Sequence, residues 1–137
     1  MTDLHTASSS LPIGAASDRF WPPGVPRHLD VPDESLWQGL AKRAADTPND
    51  MALDFLGRTH TWAQLRDQAN RLAAALQGLG VGRGDRVLLF MQNCPQFIVA
   101  FHAVIRAGAV VVPVNPMNKA DELGHYIRDA AAHVAVA

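Results

Sequence analysis

Apolar residues recur along this chain with two different periods, and the place where the period changes divides it. Trp62, Leu65, Ala69, Leu72, Ala73, Leu76 and Leu79 return every three or four residues and mark one face of a helix about five turns long. Thr61 stands before this run with Gln64 three residues on, the spacing of a capping box, and Gly80 follows as a left-handed cap. The same signature opens a shorter helix, with Ser35 and Gln38 as the cap pair and Leu36, Leu40, Ala41 and Ala44 as the apolar face up to Pro48. Between the two, Met51 and Phe55 belong to a weakly alternating stretch that reaches a turn at Gly57-Arg58. Residues 59–61 then predict the return strand of a small hairpin.

Beyond Gly84 the pattern changes to short uninterrupted apolar runs at 86–91, 109–114 and 133–137, separated by helical periods at 95–107 and 120–131. Strands that are apolar at every position need cover on both faces, and each connection has room for a crossover helix. The prediction is an α/β doubly wound layer on a parallel sheet with right-handed connections, in which Gly108 ends one helix and Asn118 caps the next. No internal repeat is present. Residues 132–137 run inside an apolar strand pattern without turn, cap or polar tail, which predicts an incomplete sheet and a truncated larger domain.

Residues 1–33 have a different character. They hold five of the nine prolines and the Ser8-Ser9-Ser10 run, which neither continue a helix nor fill a strand ladder. An extended Pro-rich leader over 1–33 and a folded part over 34–137 are expected; Phe20-Trp21 gives the leader apolar groups for docking on a neighbouring surface, and a merely flexible leader is the equal alternative. The first ten residues lack the basic start and apolar stretch of a secretory signal. Residues 97–114 reach membrane-spanning length but contain His102, Arg106, Gly108 and Pro113. An Arg at mid-bilayer costs about 2.5 kcal/mol or more, so a helix followed by a buried strand is the better reading and no transmembrane segment is expected.

Composition narrows the function classes. An apolar content of 48% over 137 residues suits one globular domain. Twelve Lys+Arg against thirteen Asp+Glu, without a basic cluster, exclude nucleic acid as a partner. Cys94 is the sole cysteine, so an intramolecular disulfide and a cysteine-rich zinc site are excluded and a reducing, cytoplasmic setting is expected.

Four constellations invite a chemical reading. Gly80, Gly82 and Gly84 form a G-x-G-x-G run, but it follows a helix and precedes a strand, the reverse of the order that presents helix amides to a pyrophosphate. A helix-to-strand turn is expected there. Cys94 lies between a strand end and Pro95, at the side of a parallel sheet where ligands bind, and a helix amino terminus activates thiols. His102, eight residues on, is too far along the helix to serve as its base, so an ordinary structural cysteine is expected. The six histidines, His5, His28, His60, His102, His125 and His133, show no metal-ligand spacing and are expected to be solvated or hydrogen-bonded. Asp33-Glu34 and Asp121-Glu122 each fall at a predicted helix start, where acidic groups favour the helix dipole by about 0.3 to 1 kcal/mol without any catalytic duty.

The blocks Phe55-Leu56-Gly57-Arg58-Thr59-His60-Thr61-Trp62-Ala63-Gln64-Leu65, Gly82-Arg83-Gly84-Asp85-Arg86-Val87, Asn93-Cys94-Pro95-Gln96-Phe97 and Arg106-Ala107-Gly108-Ala109-Val110-Val111-Val112-Pro113-Val114-Asn115-Pro116 carry a resemblance. In order and spacing the chain from about Asp33 resembles the amino-terminal part of the large domain of AMP-forming acyl-CoA ligases. Trp21-Pro22-Pro23-Gly24-Val25-Pro26 resembles the leader of bacterial fatty-acyl-CoA ligases. Gln64 stands where that family commonly has an acidic residue, a change of cap partner. The resemblance implies an enzyme that activates a carboxylic acid with ATP as an acyl-adenylate and transfers the acyl group to CoA. Magnesium accompanies the nucleotide, and a homodimer of the parent enzyme is among the implied partners. A fatty acid is the implied substrate, from the leader and Asn115-Pro116-Met117-Asn118, with an aryl acid next.

The family's phosphate loop, adenine-binding segment, hinge Asp and carboxyl-terminal Lys have no counterpart here, since the only lysines, Lys42 and Lys119, are outside any glycine-rich context. No catalytic, cofactor-binding or metal residue is therefore assigned, and the fragment alone is expected to be inactive. Two other readings stay open: a small stand-alone α/β binding or scaffold module, and a thiol enzyme using Cys94.

Overall fold

The computed structural model describes residues 20–26 and 28–137. Two units are distinguished, Met1–Asp33 and Glu34–Ala137. The serine run of the leader lies outside the described residues. Within the first unit, Trp21 Nε1 donates to the Val25 carbonyl at 2.9 Å and the Val25 amide donates to the Pro22 carbonyl at 3.4 Å, so the Pro-Pro-Gly segment is a closed turn under an indole.

The second unit runs α1 (Leu36–Asp46), β1 (Met51–Phe55), β2 (Arg58–Thr61), α2 (Trp62–Gly78), β3 (Arg86–Phe90), α3 (Pro95–Arg106), β4 (Val110–Val114), α4 (Ala120–Asp129) and β5 (Val134–Val136). Both expected capping boxes are formed. The Gln38 amide donates to Ser35 Oγ at 3.2 Å and the Gln64 amide to Thr61 Oγ1 at 3.3 Å, while each glutamine side chain accepts from the backbone amide of its cap. Two apolar residues assigned to helix faces are exposed: Leu36 at 63% and Leu79 at 72%. They sit in the first turn of α1 and at the C-cap of α2, where the chain leaves the packed stripe.

β1 and β2 pair antiparallel, and β3, β4 and β5 form a parallel sheet in the order β4-β3-β5. Burial confirms double cover only for the central strand: Val87, Leu88 and Leu89 are at most 1% exposed. Burying each such side chain is worth about 1.5–3 kcal/mol. Val87 and Leu89 share a cluster with Ala69, Ala73 and Leu76 of α2 and Ala100, Ala103 and Val104 of α3. Alanines at these positions let the two helices approach the strand closely. β4 and β5 depart from the expectation, since both keep exposed positions and Val110 is 48% exposed. They are the edges of the sheet, with a hydrogen-bonded neighbour on one side only.

Long-range contacts set the register. Gly84 donates to the Gly108 carbonyl at 3.2 Å and Val110 to the Asp85 carbonyl at 2.7 Å, which aligns Arg86 with Val110. Gly108 has φ +82°, a left-handed conformation that glycine adopts at no steric cost. Arg86 donates from Nε to the Ala130 carbonyl at 2.6 Å and from Nη2 to the Ala131 carbonyl at 2.9 Å, satisfying the open end of α4 before β5. Three local expectations are corrected. The hairpin turn is centred on Leu56-Gly57, both left-handed, because Arg58 already pairs with Phe55. The N-cap of α4 is Lys119, which is extended at φ −77° and ψ 169°, while Asn118 closes a preceding turn with its amide on the Asn115 carbonyl. Asp33-Glu34 stand outside α1, whose first turn has no acidic residue.

Candidate functional site

In a parallel sheet the loops leaving the strand carboxyl ends gather on one edge, and ligands of open α/β sheets bind there. β3 and β4 end in register, Phe90 opposite Val114, so the segments after them lie side by side. A cleft of about 320 Å³ opens between them, lined by Met91, Gln92, Asn93, Phe97, Pro113, Val114, Asn115 and Pro116. Asn115 shapes one wall: its Oδ1 accepts from the Met117 amide at 2.9 Å and its carbonyl accepts from the Asn118 amide at 3.0 Å. None of the lining side chains ionises. The cleft can hold a ligand by apolar contact and amide hydrogen bonds, but it supplies no general base, nucleophile or cation.

Cys94 is itself the N-cap of α3, extended at φ −143°, half-buried, and its thiol makes no capping hydrogen bond. Its carbonyl accepts from the Phe97 amide at 3.0 Å. His102 lies on the same helix with its ring edge-on to Phe101 at 5.7 Å. The ring is half-buried, and at Nδ1, which is buried without a hydrogen-bond partner, the expectation of a solvated or hydrogen-bonded group is corrected. Burial pushes the His102 pKa below the ordinary 6.5. That nitrogen accordingly makes no nucleophile–base pair with Cys94.

The three glycines form the expected turn, with Gly80 at φ +88° and Gly84 at φ +85°. Their amides are engaged: Gly80 with the Gln77 carbonyl at 2.9 Å, Gly82 with Asp85 Oδ2 at 2.8 Å and Gly84 with the Gly108 carbonyl at 3.2 Å. None of the three glycine amides is free to cradle a phosphate. Asp121 and Glu122 occupy the first turn of α4, where Glu122 Oε2 accepts from the Lys119 amide at 2.8 Å. Among the described residues no group of three or more His, Cys, Asp and Glu converges on a metal position.

The sequence blocks singled out above thus fall on a hairpin tip, a helix cap, a helix-to-strand turn, a helix start and the Gly108 crossing. They build the sheet and its loops.

Residues 40–137 match the family described as AMP-binding enzyme. A long-chain-fatty-acid–CoA ligase of Bacillus subtilis is 35% identical over 116 residues, covering 85% of this chain and 21% of the relative. A 4-coumarate–CoA ligase of rice, Oryza sativa subsp. japonica, is 42% identical over 98 residues, 69% of this chain and 17% of the relative. Among solved structures, the N-terminal subdomain of Klebsiella oxytoca NpsA in complex with 3-hydroxyanthranilyl-AMSN superimposes with a TM-score of 0.71 at 27% identity, over 74% of this chain and 26% of that one. The chain spans about a fifth of the length of the curated relatives it matches.

Proposed function

The chain belongs to the AMP-binding enzyme family, and from that premise we propose that it serves as the first part of the large domain of an acid–thiol ligase. The whole enzyme activates a carboxylic acid with ATP to an acyl-adenylate, releases pyrophosphate and transfers the acyl group to CoA. The observation that carries this reading is the match over 40–137, whose relatives include CoA ligases for two kinds of acid. Residues 1–33 act as the leader and 34–137 as the beginning of the catalytic domain. A fatty acid is the proposed substrate, supported by the Bacillus relative, and the rice relative makes an aryl acid the competitor to test. The proposed setting is cytoplasmic and the proposed assembly of the whole enzyme a homodimer. Among the described residues no helix is long and apolar enough to cross a membrane.

The residues here do not fit a magnesium ion or a triphosphate. The strand-end cleft is neutral, the glycine amides are engaged, and no carboxylates converge among the described residues. No step through ATP, CoA or magnesium is therefore assigned to this chain, whose part is to position the sheet and supply one wall of a ligand cleft. The test is pyrophosphate release with palmitate and with 4-coumarate, using the 137-residue chain, checked for folding by circular dichroism, beside the open reading frame that contains it. Acid-dependent release by the reading frame and none by the folded chain is expected. Removing a single preorganised donor already costs about 10² to 10³ in rate. Steady release by the pure 137-residue chain would overturn the assignment.

A further inference from the structure

A second cavity lies away from the strand ends, between the β1–β2 hairpin and the start of α3. It measures about 590 Å³ and is lined on one side by the hairpin residues Phe55, Leu56, Arg58, Thr59 and His60 and on the other by Pro95 and Gln96. That volume is in the range of small-molecule clefts. Strand register pairs Phe55 with Arg58 and Leu53 with His60, so Phe55, Arg58 and His60 share one face of the hairpin. The face carries an aromatic residue and an arginine whose guanidinium has no ion pair or hydrogen bond among the described residues. Leu56 adds an independent observation. It is 89% exposed and left-handed at φ +53°, in a turn position that glycine or asparagine fills without strain. A leucine held there gains almost no packing within the chain, and strain of this kind concentrates where a ligand is clamped.

We propose that this groove binds an amphipathic carboxylate, its alkyl chain laid against Phe55, Leu56 and Pro95 and its head paired with the Arg58 guanidinium. Apolar wall and isolated cation are the two complements such a ligand requires, and Arg suits the fork of a carboxylate. The groove stands on its own geometry. The choice of a carboxylate as the anion rests on the ligase reading above.

Titration of the 137-residue chain with decanoate, followed by amide shifts in two-dimensional NMR without ATP or CoA, tests this. Saturable shifts at Leu56, Gly57, Arg58 and Gln96 are expected. Arg58→Ala should weaken binding by about tenfold or more, and decanol, with no charge, should bind more weakly than decanoate by a similar factor. Leu56→Gly relieves the left-handed strain and so folds at least as well, yet it should weaken decanoate binding by about fivefold. Shifts confined to the Met91–Pro116 cleft, absence of saturation, or wild-type affinity in both variants would overturn the proposal. With nucleotide and thiol absent, its failure leaves the pyrophosphate test untouched, and the reverse holds as well.

Discussion

His102 carries a buried, unpartnered Nδ1, and desolvation holds its pKa below 6.5. The folded chain therefore binds fewer protons than the unfolded chain below that value. The neutral imidazole is compatible with the fold above pH 6.5, and stability falls as pH drops through 6.5 toward the lowered folded-state pKa. Urea midpoints measured from pH 7.5 to 5 should decline more steeply for the wild type than for His102→Leu; parallel curves would refute a role for this residue. Cys94 is expected to react independently of His102, because that ring's Nδ1 makes no hydrogen bond. Alkylation of Cys94 should proceed at the same rate in wild type and His102→Asn, and a slower variant would restore a thiol–base pair. The buried nitrogen was not legible in the sequence. The helical period places His102 on α3, but burial of one ring atom depends on elements brought against α3 from elsewhere.

At the scale of elements, left-handed positions give opposite predictions. Gly108 needs φ +82°, and a Cβ there would meet the Arg83 Cα at 3.6 Å, an ordinary contact, so backbone strain decides the outcome. Gly108→Ala should cost about 1–2 kcal/mol. Leu56→Gly, at φ +53° on an exposed turn, should stabilise by about 0.5–1 kcal/mol, the strain released less the added entropy of an unfolded glycine. Urea denaturation of the two variants checks both signs, and a destabilised Leu56→Gly would show that the leucine packs in solution. Thr61→Ala removes the side-chain half of the α2 cap and should cost about 1 kcal/mol by the same measurement. Helices and caps were legible because a capping box and an apolar stripe involve residues three or four apart. The boundary errors at Asn118 and Gly57-Arg58 fall where two elements adjoin: Arg58 already pairs with Phe55, and Asn118 closes a turn on Asn115 before Lys119 caps α4.

At the scale of the whole second unit, the three-stranded sheet leaves β4 and β5 as edges with exposed apolar positions. Unpaired edges of this composition associate. Sedimentation of the chain should show concentration-dependent association that Val110→Lys, on a 48% exposed edge position, reduces; a strictly monomeric wild type would contradict this. The sequence by itself determined the order and type of the elements, the two capping boxes, the glycine turn and the parallel class of the sheet, because each rests on period and spacing within a few residues. Only the tertiary structure decided the order β4-β3-β5, the confinement of double cover to β3, the pairing of the Gly84 amide with Gly108 and the hairpin cavity. Those depend on groups far apart in the chain, as when Arg86 closes the end of α4 at Ala130, and no local pattern specifies which distant partner a side chain meets.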